Sequence, residues 1–135
     1  MPPFAKSGSP PTEGELAAPR PRVALCEPDA LLRALLGEWL QRADFEPSTG
    51  AADGSSTPVA LVVADVAEPR QQGAMCVALM RRRFPGARVL AISGKFLPGM
   101  RGATAAALAL GADAVLAKPF AAEAFIDAVR ALLAS

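Results

Sequence analysis

The sequence predicts a doubly wound α/β fold built around a parallel β-sheet. Short, continuously apolar runs alternate along the chain with segments of helical periodicity. This alternation is typical of βα units whose strands are covered on both faces. The chain has 135 residues, of which 52% are hydrophobic and 20% are charged. That composition suits one globular domain and leaves no room for a second.

The predicted strands and helices follow one another in order. Four continuous apolar runs are the core strands: Val23–Cys26, Val59–Ala64, Val89–Ile92 and Ala114–Ala117. A weaker strand is predicted around Phe45–Thr49. Helices are predicted at about Ala30–Ala43, with Asp29 as N-cap, and at about Gly73–Phe84, Arg101–Leu110 and Ala121–Leu133.

Helical spacing also predicts which side chains face the core. In the first helix these are Leu32, Leu35, Leu36, Trp39 and Leu40. In the second they are Met75, Ala78, Leu79 and Phe84. In the last they are Phe125, Ile126, Val129, Leu132 and Leu133.

Two stretches do not fit the alternating pattern. Residues 1–21 are rich in Pro, Ser and Gly and predict a flexible arm, which leaves residues 22–135 as the domain. Residues 50–58 have the composition of a loop, so we expect the second helix of the fold to be shortened or missing.

The composition excludes several kinds of site. With no histidine, the chain cannot supply a Ser-His-Asp triad, a histidine metal ligand or a phosphohistidine of its own. A net charge of +1 does not indicate nucleic-acid binding, and Arg81–Arg83 are interpreted as a solvated helix end. Cys26 and Cys76 lack zinc or redox spacing and are interpreted as buried apolar residues in a reducing compartment. No signal peptide or membrane span is predicted, so we expect a cytoplasmic protein.

Each core strand ends at a residue capable of ionic or hydroxyl chemistry: Glu27, Asp65, Ser93 and Lys118. In a flavodoxin-like five-stranded parallel sheet of order 2-1-3-4-5, these residues converge on one rim, with Glu27 and Asp65 on neighbouring strands. Two carboxylates so placed suit a hard cation such as Mg²⁺. Asp65 is also a reasonable nucleophile for an aspartyl-phosphate, whose charge Ser93 and Lys118 would offset.

These segments carry a family resemblance. VALCEPDALLR from residue 23, LVVADVAEP from residue 61, VLAISG from residue 89 and GADAVLAKPF from residue 111 together resemble the receiver domain of two-component response regulators. The resemblance covers about residues 22–133. It implies a stand-alone receiver, not an enzyme in its own right, that signals through protein–protein contacts.

The resemblance also implies roles for particular residues. Asp65 would accept a phosphoryl group from a sensor histidine kinase or a histidine phosphotransfer protein, with Mg²⁺ present. Ser93 would contact the phosphoryl oxygen and Lys118 would form an ion pair. The backbone carbonyl of Ala67 would join Glu27 and Asp65 as a metal ligand. The bond between Lys118 and Pro119 would be cis.

The sequence departs from the receiver pattern at two positions. The second of the two adjacent acids of a receiver, usually the direct metal ligand, aligns with Pro28, which should weaken Mg²⁺ binding. The aromatic switch position of the last strand aligns with Val115, so no large ring can report phosphorylation there.

These departures leave alternatives open. One is a degenerate receiver that acts as a phosphorylation-independent docking or dimerisation module, and homodimerisation is also open for an active receiver. Another is a flavin or cobalamin module of the same architecture, against which the absence of histidine and the scarcity of aromatic residues argue. For Arg81–Arg83, the alternative is a docking patch for an acidic partner.

Overall fold

The computed structural model describes residues 20–48 and 58–134, which form one β-sheet with helices on both faces. The strands are β1 (Arg22–Cys26), β2 (Glu46–Ser48), β3 (Val59–Asp65), β4 (Arg88–Ser93), β5 (Arg101–Gly102) and β6 (Ala114–Ala117). The helices are α1 (Ala30–Arg42), α2 (Gln71–Arg83), α3 (Ala105–Leu110) and α4 (Ala122–Ala134).

The strand order is β2-β1-β3-β4-β6-β5. The first five strands pair in parallel and confirm the predicted order 2-1-3-4-5. The structure adds a sixth strand, because β5 pairs antiparallel with β6 at the edge of the sheet. The sheet is therefore parallel except at one edge.

The strand β5 lies where the third helix was expected to begin. Gly102 has a positive φ of 92°, and the side chain of Thr104 accepts a hydrogen bond from the backbone N–H of Ala107 as N-cap of α3. The predicted start at Arg101 is therefore wrong, and the helix begins at Ala105. Gly111 ends it in a left-handed conformation, as predicted.

The helix α1 agrees with its predicted bounds. The Asp29 side chain accepts hydrogen bonds from the backbone N–H groups of Leu31 and Leu32, and the helix ends at Arg42. The prediction is wrong for one side chain, since Leu35 is exposed.

The helix α2 turns a different face to the sheet from the one predicted. Gly73, Val77 and Met80 are buried, whereas Met75 and Leu79 are 65% and 51% exposed. A Cβ atom on Gly73 would lie 2.3 Å from the carbonyl oxygen of Glu68, so the backbone of α2 approaches the preceding loop closely there. Only glycine, which has no Cβ atom, allows this close approach. With Gly73 in this position, the face of α2 that carries it packs against the sheet. Of the predicted set, Ala78 is also exposed and Phe84 is half-buried.

The core has one layer on each side of the sheet. Side chains of α1 and α4 pack on one face against β1, β3, β4 and β6. Side chains of α2 and α3 cover the other face. In α4, Phe125, Ile126, Val129 and Leu132 are buried as predicted, and Leu133 is partly buried.

Three aromatic rings pack together between α1 and α4. The ring centroid of Phe120 lies 5.7 Å from that of Phe125 and 6.4 Å from that of Trp39. The rings of Trp39 and Phe125 are 6.1 Å apart. This group, the aromatic cluster, connects the loop after β6 to the C-terminal half of α1.

Two predictions fall almost entirely outside the described residues. They are the arm at residues 1–21, of which the structure describes Arg20 and Pro21, and the loop at residues 50–58, of which it describes Pro58. In the part of the chain that is described, no helix is both long and apolar enough to cross a membrane.

Candidate functional site

The register of the sheet brings the four predicted strand-end residues to one rim. Cys26 of β1 lies opposite Ala64 of β3, so Glu27 follows β1 beside Asp65. Ser93 of β4 lies opposite Ala117 of β6. The backbone N–H of Lys118 donates to the carbonyl oxygen of Ser93 over 2.9 Å, which holds Lys118 at the same level.

Lys118 joins the two carboxylates. Its Nζ atom lies 2.7 Å from Oε1 of Glu27 and 2.8 Å from Oδ1 of Asp65. The side chains of Lys118, Glu27 and Asp65 are 22%, 1% and 17% exposed. This trio of side chains has a net charge of −1 and opens to solvent at Asp65 and Lys118.

Partial burial works against the charged form of Lys118, but hydrogen bonds to Asp65 and Glu27, together with their negative charges, raise the pKa of Lys118 above its ordinary value. The ammonium therefore remains protonated throughout the physiological range. It is a fixed positive charge at the rim.

Glu27 is held in place on both sides. Its Oε2 atom accepts a hydrogen bond of 2.9 Å from the backbone N–H of Asp29. Its backbone carbonyl accepts a hydrogen bond of 2.6 Å from the guanidinium of Arg33, which lies one turn into α1. The sequence analysis missed Arg33, although it is at the end of the first quoted segment. Asp29 faces its own helix as N-cap, as predicted, and Pro28 is exposed.

Ser93 lies at the site, but its hydroxyl makes no hydrogen bond with the three charged side chains. It is fully buried, and its Oγ atom accepts a hydrogen bond of 3.0 Å from the backbone N–H of Lys95. No hydrogen bond connects its hydroxyl to Asp65 or Lys118. Because that Oγ acts as an acceptor here, the hydroxyl hydrogen stays available for a further acceptor.

The loop after β3 carries Ala67 and is fixed at both of its ends. The backbone N–H of Val66 donates a hydrogen bond of 2.8 Å to the carbonyl oxygen of Ile92. The Glu68 carboxylate accepts hydrogen bonds of 3.1 Å from the backbone N–H groups of Arg70 and Gln72. It therefore caps the N-terminus of α2. The sequence analysis missed this role of Glu68. A carboxylate two to four residues before free helical N–H groups is the signal that could have found it.

Comparison with known proteins adds to this geometry. No family model matches the sequence, and no curated protein matches it. A response regulator from Thermotoga maritima superposes with a TM-score of 0.66 at 17% identity, over 86% of this chain and 99% of its own. For a response regulator receiver protein from Burkholderia phymatum, the TM-score is 0.61 at 26% identity, over 85% of this chain and 96% of its own.

The chain has the fold of a response regulator receiver domain. A third structure with this fold is a response regulator protein from Burkholderia pseudomallei that contains a phosphorylated aspartic acid and a calcium ion. Its TM-score is 0.60 at 19% identity, over 80% of this chain and 65% of its own. The bond between Lys118 and Pro119 is cis, as the resemblance to receivers implied.

The receiver fold implies Mg²⁺, and the residues present fit it in donor chemistry. The ligands would be Asp65, the carbonyl oxygen of Ala67 and Glu27, all of them oxygen donors. Within the described residues, Oδ2 of Asp65 and the Ala67 carbonyl accept no hydrogen bond, whereas both Glu27 oxygens are engaged. The same part of the chain has no group of three or more His, Cys, Asp or Glu side chains suited to a metal. Pro28 supplies no ligand, so a bound ion would keep several waters.

The second departure from the receiver pattern is at Val115. Val115 is fully buried in β6, in a core cluster that also contains Leu110 of α3 and the ring of Phe96. Phe120, two residues after Lys118, belongs instead to the aromatic cluster.

The two cysteines are free thiols and are half-buried, which corrects the expectation that both are buried. Burial raises the pKa of Cys26, and the nearby thiol of Cys76 adds to that rise while Arg83 opposes it. Burial also raises the pKa of Cys76, with a further contribution from the charge of Asp65. Both thiols are therefore mainly protonated at neutral pH.

Proposed function

We propose that the chain is a phosphoacceptor receiver of two-component signalling, which takes a phosphoryl group on Asp65 from a phosphohistidine of a partner protein. The observation that carries this proposal is the Lys118 ammonium, held within 2.8 Å of Oδ1 of Asp65 and 2.7 Å of Oε1 of Glu27. Because Lys118 occupies Oδ1, we assign Oδ2 as the attacking oxygen. The phosphorylated aspartic acid of the Burkholderia pseudomallei neighbour supports an aspartate as the phosphoacceptor in this fold.

In the proposed transfer, a bond forms between Oδ2 of Asp65 and phosphorus while the bond between phosphorus and the donor imidazole nitrogen breaks. The imidazole leaves and takes up a proton, so no further reactant is required. Lys118 and the Ser93 hydroxyl then pair with phosphoryl oxygens and offset their added charge. Mg²⁺, when bound, supplies further positive charge beside these oxygens.

The partner follows from the composition of the chain. Since these 135 residues contain no histidine, a phosphohistidine donor must lie outside them, and a sensor histidine kinase or a histidine phosphotransfer protein fits this requirement. We place the exchange in the cytoplasm, which agrees with two unpaired thiols. The chain itself would be no enzyme beyond catalysing its own phosphorylation and dephosphorylation, and its output would be changed contacts with other proteins.

Phosphorylation by a small-molecule donor tests this proposal. The protein is incubated with acetyl phosphate and Mg²⁺, and its intact mass is measured over time. Wild type should gain one phosphoryl group and Asp65→Asn none. Asp44→Asn is the matched control, because Asp44 is exposed and has a positive φ of 68° that Asn tolerates. Equal labelling of wild type and Asp65→Asn would refute the proposal.

A second candidate function is a degenerate receiver that works as a docking or dimerisation module without phosphorylation. Pro28 favours it, since the end of β1 offers one carboxylate, and Val115 favours it, since it cannot act as an aromatic switch. Beryllofluoride, titrated with and without Mg²⁺, separates the two candidates. Saturable, Mg²⁺-dependent binding would exclude the degenerate receiver, whereas a folded protein that binds no beryllofluoride would support it.

A further inference from the structure

Three sulfur-containing side chains belong to α2 and to the end of β1. Cys26 is the last residue of β1, and Cys76 and Met80 lie four positions apart on α2. Residues four apart on a helix are neighbours on the same side of it. The side of α2 that Cys76 and Met80 share therefore determines whether they meet Cys26.

The buried face of α2 is divided between two parts of the core. Val77 packs in a cluster with Leu110 of α3. Met80 packs in a different cluster, with apolar side chains of β1 and β3, and Cys26 packs against that same cluster. Met80 therefore lies on the side of α2 that faces β1. Cys76, one helical turn before Met80, lies on that side too.

Cys26 points toward α2. Side chains of a strand alternate between the two faces of the sheet. Val23 and Leu25 lie in the cluster covered by α1, so Cys26 projects from the opposite face, which α2 covers. The thiol of Cys76 adds to the rise in the pKa of Cys26, because the two side chains lie close together. The two cysteines and Met80 thus converge between α2 and β1.

The sulfur atoms have no other partner within the described residues. Both thiols are free and half-buried, and neither makes a hydrogen bond with residues 20–48 or 58–134. Met80 is 7% exposed and contributes its thioether from the core. The partly exposed thiols connect this group of sulfur atoms to solvent.

We propose that Cys26, Cys76 and Met80 bind one Cu(I) ion, with two thiolates and a thioether as ligands. Soft thiolate and thioether ligands select Cu(I), whereas Zn²⁺ in structural sites is almost always held by four ligands. Because one donor is a methionine, the site agrees with the absence, in the described part of the chain, of a metal-binding group of three His, Cys, Asp or Glu side chains. On binding, the two thiol protons pass to solvent and no electron is transferred.

The surroundings of the three ligands suit this ion. Two thiolates and one Cu(I) leave one negative charge, and Arg83 acts on Cys26 with a positive charge that offsets part of it. None of the three ligands belongs to the strand-end site, although the charge of Asp65 reaches Cys76. Binding of Cu(I) is therefore independent of phosphoryl transfer, and Asp65→Asn should still bind the ion.

Competition with bicinchoninate, a chromophoric Cu(I) chelator, tests the site on the full chain under anaerobic conditions with both thiols reduced. Wild type should remove one Cu(I) per chain from the chelator, and native mass spectrometry should find that ion in the monomer. Cys26→Ser, Cys76→Ser and Met80→Leu should each weaken binding by at least about tenfold, since loss of even an outer-shell partner typically costs about 10- to 100-fold. The matched control Met75→Leu, at an exposed methionine of α2, should leave binding unchanged.

Circular dichroism checks that each variant is folded, and alanine replaces serine in any cysteine variant that is not. No uptake by wild type would overturn the proposal. Wild-type affinity in a folded variant of either cysteine, or equal affinities of Met80→Leu and Met75→Leu, would also overturn it. So would Cu(I) found only in dimers that it bridges, or its displacement by an equal concentration of Zn²⁺.

Discussion

The two ends of the sheet combine the same kinds of charge in opposite proportions. At the carboxyl end, the single ammonium of Lys118 is shared by Glu27 and Asp65. At the amino end, the single carboxylate of Asp113 is shared by Arg81 and Arg88. The first arrangement is mostly buried and the second is half-exposed. Since water screens exposed charges, the first should contribute more to stability and the second more to the surface potential.

Breaking the buried arrangement should have the largest effect. Lys118→Met leaves two carboxylates facing each other, one of them almost fully buried, without their shared cation. We expect a loss of about 3–5 kcal/mol in the free energy of unfolding, measured by urea denaturation. Lys95→Met, at an exposed lysine nearby, is the control and should change little. A loss below about 1 kcal/mol for Lys118→Met would contradict the conclusion that the charges at the carboxyl end contribute more to stability.

The pH dependence of that loss has a definite sign. Asp65 and Glu27 raise the pKa of Lys118 in the folded state above its ordinary 10.5. The stabilisation is therefore complete below pH 10.5 and disappears as the pH rises through the folded-state value. The difference in unfolding free energy between wild type and Lys118→Met should shrink at alkaline pH. A difference that shrinks between pH 5 and 8 instead would point to another group.

The position of the loop that carries Ala67 depends on the absence of a side chain at Gly73. A methyl group at this position would lie 2.3 Å from the Glu68 carbonyl and 2.6 Å from a Val66 methyl group. Gly73→Ala should therefore cost about 1–3 kcal/mol in thermal or urea unfolding and displace the loop. Gly94→Ala is the matched control, because no atom lies within 4 Å of its added methyl group. Similar stability for the two variants would contradict the close approach of α2 to the loop at Gly73.

A smaller effect is expected at the amino end of the sheet, around Asp113. Asp113→Ala removes the acceptor of the Val89 backbone N–H and the partner of Arg81. We expect a loss of about 1–2 kcal/mol in urea unfolding, because the hydrogen bond from the Val89 backbone N–H to this carboxylate is partly buried. Asp127→Ala, at an exposed aspartate on α4, should be close to neutral. A loss for Asp113→Ala larger than that for Lys118→Met would reverse the ranking of the two ends.

The smallest effect concerns the thiols. Burial and the charge of Asp65 raise the pKa of Cys76, whereas Asp65 is not among the causes that raise the pKa of Cys26. In alkylation with iodoacetamide at neutral pH, both thiols should react slowly. Asp65→Asn should speed up the reaction of Cys76 slightly and leave Cys26 unchanged, as followed by peptide mass spectrometry. Equal acceleration of both would indicate a general loosening of the fold.

The strands were predictable because their signal is local. Each core strand is a continuous apolar run that stops at a polar residue, and the observed bounds agree within one residue. Parallel pairing then places Glu27, Asp65, Ser93 and Lys118 at one rim. The strand β5 has two residues and no apolar pattern, so only its pairing with Val115 and Leu116 reveals it.

The buried face of α2 was not predictable in the same way. Its sequence has apolar residues at Met75 and Leu79 as well as at Val77 and Met80, so spacing alone favours neither face. The close approach at Gly73 decides between them, and it depends on a loop whose course the sequence does not specify. The contacts of Arg81 with Gly111 and Asp113 likewise join residues 30 and 32 positions apart in the sequence.

The aromatic cluster has an optical consequence. The chain contains one tryptophan and no tyrosine, so its intrinsic fluorescence comes almost entirely from Trp39. That indole lies 6.4 Å from the ring of Phe120, which is two residues beyond Lys118. Any rearrangement of Lys118 that moves Phe120 therefore changes the surroundings of a single emitter. The protein carries its own spectroscopic probe of the loop after β6, readable without a label.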